Sequence, residues 1–408
     1  MRKLAVYFHR EFVGELVQET DGKLKFTYLS EWLNNPNAIP LSYSLPLSAT
    51  PFDHKLCQGF FGGLLPESLQ RELIAKNLGI SPRNDFAMLE KIGGECAGAI
   101  TFIPAGEKLN NTHYHYQTLK DKELAEILRV LPRRPLLLGM EGIRLSLAGV
   151  QDKIAVKVAQ GQIALPLEGA PSTHILKPAI DHFADIVYNE AFCLQLAEKI
   201  GLSVAKAAIH TVEEINYLLI ERYDRIVKND GTIERLHQED FCQALGISSV
   251  MKYQNEGGPS LKQCFKLLRE VSTTPALDLR TFLDAVIFNF IIGNHDAHGK
   301  NFSLLYQRKQ IRLSPLYDLV STIYYPELST KMAMKIGSKY QSQEVLPRHF
   351  EQMAEEVGLA IPLVRGRVSE LIHNVNTTLK EWEIKNPTII NIAGSIERRV
   401  AKLIKTFG

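Results

Sequence analysis

The sequence predicts an α+β fold in which a strand-rich half is followed by a helix-rich half. Between Lys3 and Leu29, apolar and polar residues alternate on either side of an Asp21-Gly22 turn, which is the period-two pattern of a small sheet. After Gln238 the apolar residues recur instead at helical spacing. The clearest helices there are predicted over Leu279–Ile292, Val364–Trp382 and Ile396–Phe407. A chain of 408 residues can hold several domains, so this distribution indicates two structurally distinct lobes.

Local signals place the first elements of the strand-rich half. The segment Leu64–Ser68 is predicted to open a helix, because a proline is tolerated in the first helical turn, and Gly79 is predicted to stop it. A strand is predicted at Ala99–Ile103. The polar segment Gly106–Lys120 has no periodicity and is predicted to be a surface loop.

The next stretch combines strands with one helix. Ile143–Val158 alternates apolar and polar residues around the small residues at 146–149, which favours two strands joined by a tight turn. The segment Ile186–Lys199 has helical spacing and is followed by Gly201, a residue type that commonly closes a helix. Further strands are predicted at His174–Lys177, Ala207–Val212 and Tyr217–Glu221.

Composition excludes several classes of function. Forty-seven basic and 45 acidic residues give a net charge of +2, so bulk electrostatics favour neither nucleic acid nor a membrane surface as a partner. The five cysteines are scattered without Cys-x-x-Cys spacing, which argues against a disulfide framework or a zinc site and favours a reducing cytoplasm. We expect no export signal and no membrane span, since no stretch reaches the roughly 18 apolar residues that a span requires.

Three oxygen-bearing residues in the helical half suggest phosphoryl transfer. Asp296 and Asn301 lie five residues apart, the spacing of the protein-kinase catalytic loop, where the aspartate accepts the proton of the acceptor hydroxyl and the asparagine binds a metal ion. Asp318 follows after a predicted strand hairpin, where the second metal-binding aspartate of a kinase occurs. Hard oxygen ligands of this kind suit Mg²⁺, which leaves coordination positions for phosphate.

The strand-rich half offers candidates for the nucleotide. The small residues of Ser146-Leu147-Ala148-Gly149-Val150-Gln151-Asp152-Lys153 would let main-chain N–H groups approach phosphates. Lys177 on a predicted strand is the candidate phosphate lysine, and Glu190 on the next helix is its candidate partner. Glu221-Arg222-Tyr223 ends a strand before the helical half, where an interlobe hinge would meet adenine.

Each of these residues also has a simpler interpretation. Aspartate and asparagine are common in loops, and Asp318 could cap a following helix. His295, Asp296 and His298 could form a metal site. Ser146 could be an ordinary turn serine, and Glu190 a solvated helix residue. Gln238-Glu239-Asp240 could cap a helix rather than serve the nucleotide site.

Taken in order, these segments resemble the HipA family of serine/threonine kinases over nearly the whole chain, including the N-terminal subdomain that truncated members lack. The resemblance is carried by Leu64-Leu65-Pro66-Glu67-Ser68, by residues 146–153, by Glu221-Arg222-Tyr223-Asp224-Arg225, by Gln238-Glu239-Asp240, by residues 293–303 and by Tyr317-Asp318. It implies a bilobal protein-kinase-like fold divided into an N-terminal subdomain over 1–110, an N-lobe-like subdomain over 111–223 and an all-helical C-terminal lobe over 224–408.

The resemblance also implies roles for individual residues. Asp296 would be the catalytic base, Asn301 and Asp318 the Mg²⁺ ligands, and Ser146 an autophosphorylation site that switches the enzyme off. The expected ATP-binding residues are Ala148, Gly149, Val150, Gln151, Asp152, Lys153, Lys177, Glu221, Arg222, Tyr223, His298, Gly299, Lys300 and Tyr317.

The implied partners are a HipB-like helix-turn-helix antitoxin and a protein substrate, with glutamyl-tRNA synthetase as a possible one. The helix predicted after Phe350 carries Glu351, Glu355 and Glu356 and no basic face, so we expect contact with DNA only through the antitoxin. Two other functions stay open at this point: a catalytically quiet ATP-binding corepressor, and a kinase for a small molecule or lipid.

Overall fold

A computed structural model of the chain describes residues 1–107, 109, 114–137, 142–149, 151–179, 183 and 185–407. Its strands are β1 (Arg2–Phe8), β2 (Glu11–Gln18), β3 (Leu24–Tyr28), β4 (Ile100–Pro104), β5 (His115–Thr118), β6 (Ile154–Ala159), β7 (Gln162–Leu167), β8 (His174–Pro178), β9 (Ala207–Val212), β10 (Ile215–Glu221), β11 (Arg225–Val227), β12 (Ile233–Arg235), β13 (His237–Asp240), β14 (Ser303–Gln307), β15 (Gln310–Leu313), β16 (Lys331–Ile336) and β17 (Lys339–Gln341). Its α-helices are α1 (Ser30–Leu33), α2 (His54–Phe61), α3 (Ser68–Leu78), α4 (Asp85–Ile92), α5 (Asp121–Val130), α6 (Ile186–Lys199), α7 (Phe241–Ala244), α8 (Leu261–Val271), α9 (Pro275–Ile292), α10 (Pro347–Val357), α11 (Ile361–Glu381) and α12 (Pro387–Phe407). This mixture confirms the predicted α+β class.

The chain forms two compact units, each built from separate stretches of sequence. The first unit holds residues 1–180, 210–250 and 305–307, and the second holds 181–209, 251–304 and 308–408. The predicted division at 110/111 and 223/224 does not coincide with these units. Helix α6, for example, belongs to the second unit because it packs on α11 and α12.

The first unit contains a four-stranded antiparallel sheet in the order β3-β2-β1-β4. Alternate residues of β1, namely Leu4, Val6 and Phe8, are buried, as the period-two pattern predicts. The aromatic rings of Phe26 and Phe61 meet in the core beneath the sheet, with centroids 5.3 Å apart. The sheet signal in the first thirty residues is therefore confirmed.

A six-stranded sheet in the order β5-β7-β6-β8-β10-β9 lies in the same part of the fold. Strand β8 is central, and its Leu176 stands opposite Ile154 of β6 and Leu219 of β10. Lys177, the next residue, therefore lies on a strand that is paired on both edges, and its side chain is buried.

The second unit is organised around α9, whose residues from Phe282 to Ile292 are all buried. Helices α8, α11 and α12 pack against it. The helix begins with Pro275 in its first turn and ends at Gly293, which adopts a left-handed conformation with φ 69°. A side chain at 293 would meet Ile323 at 2.6 Å, so both conformation and space require glycine there.

Three local predictions are corrected. Helix α3 begins at Ser68, so Pro66 precedes the helix rather than opening it. The first of the two strands predicted within 143–158 does not form, because Ser146 N donates to Glu95 O at 2.9 Å and its hydroxyl to Leu64 O at 2.8 Å, contacts distant in sequence. The predicted loop at 106–120 contains β5; its residues 108 and 110–113 lie outside the described part.

The half after residue 224 is mainly helical but not all-helical, since it carries the short strands β11 to β17. These strands have three to six residues, too short for an alternating pattern to distinguish them from loops. Within the described residues, no helix is both long and apolar enough to cross a membrane.

Candidate active site

The end of α9 sets the start of the candidate catalytic loop. Asn294 N donates to Asn289 O at 2.8 Å, and the Asn294 side-chain amide donates to Asn289 Oδ1 at 2.8 Å. Both residues are buried. The loop therefore leaves the central helix in one direction, fixed by main-chain and side-chain contacts.

His295 is a structural residue of this loop. Its Nε2 lies 2.7 Å from the Ser342 hydroxyl and its Nδ1 lies 3.2 Å from Ser329 O. Burial, with a smaller contribution from the positive charge of Arg399, lowers the pKa of His295 to about 4. Because both ring nitrogens already have partners, the open alternative of a metal site using His295 is not supported.

The next residues close into a tight turn that joins the candidate base to the candidate metal ligand. The His298 main-chain N–H donates to Asp296 O at 2.8 Å and to Asn301 Oδ1 at 3.0 Å. Gly299–Asn301 then form a single 3-10 turn. The spacing of five residues thus becomes a geometric link, since one N–H group contacts both Asp296 and Asn301.

The carboxylate of Asp296 is solvent-exposed and has one hydrogen-bonding partner at its Oδ1. The hydroxyl of Tyr253 donates to it at 2.6 Å. A reachable carboxylate at the tip of a rigid turn is what a general base for an acceptor hydroxyl requires.

Asp318 lies in the same unit and has a strained main chain. Its φ is 51°, in the left-handed region that non-glycine residues rarely adopt. The preceding residue is tied to the catalytic loop, because the Tyr317 hydroxyl donates to Lys300 O at 2.8 Å. The Tyr317 and Ser303 hydroxyls also lie 2.6 Å apart. The open alternative of Asp318 as a helix cap is not supported, since the next 3-10 turn begins at Thr322 with Ser321 before it.

The segment after Asp318 is fastened to the catalytic loop. The Thr322 hydroxyl donates to Gly293 O at 2.9 Å and accepts from His295 N at 2.9 Å. The Ser321 hydroxyl donates to Ile292 O at 2.7 Å. The two segments that carry Asn301 and Asp318 are therefore held to one scaffold.

This donor set fits Mg²⁺. An amide oxygen at Asn301 and a carboxylate at Asp318 are hard oxygen ligands, and one or two such protein ligands are what Mg²⁺ commonly takes alongside phosphate oxygens. The Asn301 oxygen is oriented by the His298 N–H. When bound there, Mg²⁺ would neutralise charge on the phosphates.

In the first unit, the candidate phosphate loop has a cation folded onto it. The Lys153 ammonium donates to Ala148 O at 2.7 Å, and Gly149 has φ 109°. A side chain at 149 would lie 2.6 Å from the Lys153 Nζ, so a glycine is needed for this approach. A glycine-lined loop with a buried ammonium suits an anion such as a phosphate. Val150 lies outside the described residues.

The other loop residues are distributed unequally. Gln151 is half-buried, whereas Asp152 is buried and accepts a hydrogen bond from Gln70 of α3. Burial raises the pKa of Asp152 above its ordinary value. Ser146 has no exposed surface and its hydroxyl is bonded to Leu64 O. Its phosphorylation would require the loop to leave this position.

The candidate hinge residues have structural roles that the sequence did not indicate. The Arg222 guanidinium is buried and donates to Glu95 and Asp224 at 2.9 to 3.2 Å. Its main-chain N–H donates to Thr173 O at 2.9 Å. The Arg222 side chain is therefore committed to an ion cluster, and contacts with adenine would fall to the main chain around it. The Tyr223 hydroxyl bonds to Gln238, while Glu221 is exposed at the end of β10.

Charge pairing explains how this cluster is tolerated inside the first unit. Burial alone would raise the pKa of Glu95, but the guanidinium groups of Arg222 and Arg225 lower it to about 2. Asp224 has a lowered pKa for the same reason. Asp240 in turn caps α7 by accepting from Gln243 N at 2.9 Å, as the capping alternative predicts.

Two family models match this sequence. The HipA-like C-terminal domain matches residues 145–382, more than half of the chain, and the HipA N-terminal domain matches residues 4–103. The chain belongs to the HipA family. The expected resemblance is thereby confirmed for both the N-terminal and the C-terminal parts.

Individual relatives agree with this assignment. A provisionally named kinase of Sinorhizobium fredii is 46% identical over 99% of this chain and 99% of its own length. The serine/threonine-protein kinase toxin HipA of Shewanella oneidensis is 28% identical over 92% of this chain and 88% of its own. A solved complex of Shewanella oneidensis HipA with HipB and operator DNA matches with a TM-score of 0.87 and 26% identity, covering 99% of this chain and 98% of that one. This HipA-family protein is thus a kinase of the serine/threonine type.

Two residues of this HipA-family site were missed from sequence. Tyr253 lies 43 positions before Asp296, in a segment without a motif, so no local signal indicates the contact. Asn189 is a buried polar residue in the otherwise apolar α6. An isolated asparagine on a buried face was the one available signal that it has a polar partner.

Proposed function

We propose that this HipA-family protein transfers the γ-phosphate of ATP to a serine hydroxyl of a protein, and that it acts as the toxin of a toxin–antitoxin pair in the cytoplasm. The observation that supports this best is the turn in which one N–H group contacts both Asp296 and Asn301, with the strained Asp318 fastened to the same scaffold.

In the proposed reaction, Asp296 accepts the proton of the acceptor hydroxyl as its oxygen forms a bond to the γ-phosphorus. The bond from that phosphorus to the β,γ-bridging oxygen breaks, and ADP leaves. Asn301 and Asp318 would hold Mg²⁺ on the phosphates. Lys177 and the 148–153 loop, with Lys153, would bind the phosphates themselves, and the main chain near Glu221 and Tyr223 would face adenine.

The residues after the base have supporting roles in this proposal. His298 and Gly299 shape the turn, and the Lys300 carbonyl anchors Tyr317. Pairing of Lys177 with Glu190 remains a prediction, as does phosphorylation of Ser146. The inactivating role of Ser146 is supported by its complete burial, since a phosphate group could not be placed there without moving the loop.

The partner in this proposal is a HipB-like antitoxin, supported by the related structure that contains HipA, HipB and operator DNA. Helix α10 carries Glu351, Glu355 and Glu356, so contact with DNA would be made through the antitoxin. Glutamyl-tRNA synthetase is the candidate acceptor that the family resemblance supplies.

Phosphoproteomics after brief induction in the native host tests this function. The wild-type protein is compared with Asp318→Asn, which keeps the size of the side chain but removes its charge. We expect one or a few serine sites that gain phosphate only with the wild type. Equal phosphopeptide profiles, with the wild type instead labelling a small-molecule or lipid fraction, would replace the protein acceptor by another class. No labelling of any fraction would favour the corepressor alternative.

A further inference from the structure

Tyr253 approaches the candidate base more closely than any requirement of packing explains. Its hydroxyl donates to Asp296 Oδ1 at 2.6 Å, within the range of a strong hydrogen bond to a carboxylate. The Asp296 side chain is otherwise exposed, and a free aspartate at the surface exchanges among rotamers. The contact therefore selects one orientation of the carboxylate.

The main chain that carries Tyr253 is closed on itself. Tyr253 O accepts from Glu256 N and from Gly258 N, each at 2.9 Å. A side chain at 258 would lie 2.4 Å from Met251 O, so the loop can close this tightly only with glycine there. This segment is held in place by its own hydrogen bonds.

The Tyr253 loop and the catalytic loop share an anchor. Gln254 Oε1 accepts from Lys335 N of β16 at 2.9 Å, and Ala333 N of the same strand donates to His295 O at 2.8 Å. Strand β16 thus fixes the residue after Tyr253 and the residue before Asp296. The hydroxyl and the carboxylate are registered by a common support, as a preorganised site requires.

The ring of Tyr253 has a second contact within this site. It meets the imidazole of His298 edge to face, with centroids 5.4 Å apart and planes at 76°. His298 is the residue whose N–H group links Asp296 to Asn301. The ring and the hydroxyl of Tyr253 therefore act on the two ends of the same turn.

We propose that Tyr253 is a positioning residue for phosphoryl transfer, holding Asp296 Oδ1 so that the other carboxylate oxygen, Oδ2, takes the proton of the acceptor hydroxyl. This inference rests on the proposed function of Asp296 as the base. The anchored main chain favours a fixed support over a placeholder that a substrate must displace, since a placeholder would need to move away in every turnover.

The test is Tyr253→Phe, which keeps the ring over His298 and removes only the hydroxyl. The initial rate of radiolabel transfer from γ-labelled ATP to the protein fraction of a host lysate is measured over a range of ATP concentrations. We expect kcat to fall about tenfold or more, since small misplacements of a catalytic group have effects of this size. The KM for ATP and the thermal unfolding midpoint should not change. The matched control is Tyr340→Phe, in which the ring beneath the Lys331 ammonium, 5.0 Å away, is kept.

A second comparison separates positioning from a general structural effect. In an Asp296→Asn background, Tyr253→Phe should cause no further loss, because its effect acts through the carboxylate. Turnover of Tyr253→Phe within twofold of wild type would overturn the inference, as would an increased turnover, which would show that the hydroxyl obstructs the acceptor. Wild-type activity in Asp296→Asn would instead overturn the proposed function.

Discussion

Asn189 holds Ser321 by both of its main-chain polar groups. The Asn189 Nδ2 donates to Ser321 O at 3.0 Å, and Asn189 Oδ1 accepts from Ser321 N at 2.8 Å. Both residues are fully buried. Since Ser321 follows Asp318 by three positions, α6 fixes the segment that carries a candidate metal ligand.

We expect Asn189→Leu to destabilise the protein and reduce its activity together. Removing the amide leaves the buried N–H and C=O groups of Ser321 without these partners, at a cost of about 1 to 3 kcal/mol in the free energy of unfolding. Denaturant unfolding and the radiolabel transfer assay measure the two effects. Asn216→Leu on the surface strand β10 is the control. Unchanged stability in Asn189→Leu would mean that water replaces the amide.

Nucleotide binding should depend on Asn301 and Asp318 only when Mg²⁺ is present. With Mg²⁺, Asp318→Asn and Asn301→Ala should each weaken ATP binding about tenfold or more, as loss of a metal ligand does. With the metal chelated, ATP affinity should equal that of the wild type, because neither residue then contacts the nucleotide. Calorimetric titration in both conditions is the measurement. Equal losses with and without Mg²⁺ would indicate a folding defect instead.

Glu239 should make stability depend on pH near neutrality. It accepts hydrogen bonds from the hydroxyls of Ser42 and Tyr306 and from Tyr43 N, and burial raises its pKa to about 7. A raised carboxyl pKa gives stability that is complete below the unfolded value of 4.5 and is lost as pH rises through about 7. Glutamine can keep these contacts without titrating.

Glu239→Gln should therefore gain stability relative to the wild type as pH rises from about 5 to about 8. Thermal unfolding midpoints of both proteins across that interval measure the difference, which cancels the other titrating groups that they share. A constant difference between the two midpoints would show that Glu239 keeps its charge state over this range.

Ser146 should become phosphorylated only when Asp296 is intact, and the modified protein should bind ATP weakly. The added group brings nearly two negative charges to the start of the phosphate loop, and the hydroxyl site has no exposed surface. Mass spectrometry of wild type and Asp296→Asn, with nucleotide titration of each form, tests this. Full ATP affinity in protein phosphorylated at Ser146 would contradict the inactivating role.

Elements with strong local signals were predictable from sequence. The period-two pattern of β1, the start of α6 at Ile186 and the ending of α9 at Gly293 depend on neighbouring residues, so the sequence carries them directly. The link between Asp296 and Asn301 belongs to the same class. Their spacing of five residues is enough for one N–H group, that of His298, to join them.

Features that depend on distant contacts were not predictable. Residues 143–147 alternate like a strand, but Ser146 bonds instead to Glu95 and Leu64. Arg222 resembles a hinge residue by position, yet its partner Glu95 lies 127 positions away. Such partners leave no trace in a local pattern, because the chain brings them together only on folding.

The most direct test of the proposed chemistry is single-turnover transfer from γ-labelled ATP by Asp296→Asn, with ATP affinity measured on the same preparation. We expect ATP binding and the unfolding midpoint to match the wild type, because Asp296 is exposed and contacts the protein at one side-chain oxygen. Transfer to protein should fall by a factor of at least about 100, since general-base catalysis typically contributes 10²- to 10⁴-fold. Transfer within a few-fold of the wild type would contradict the assignment of Asp296 as the base.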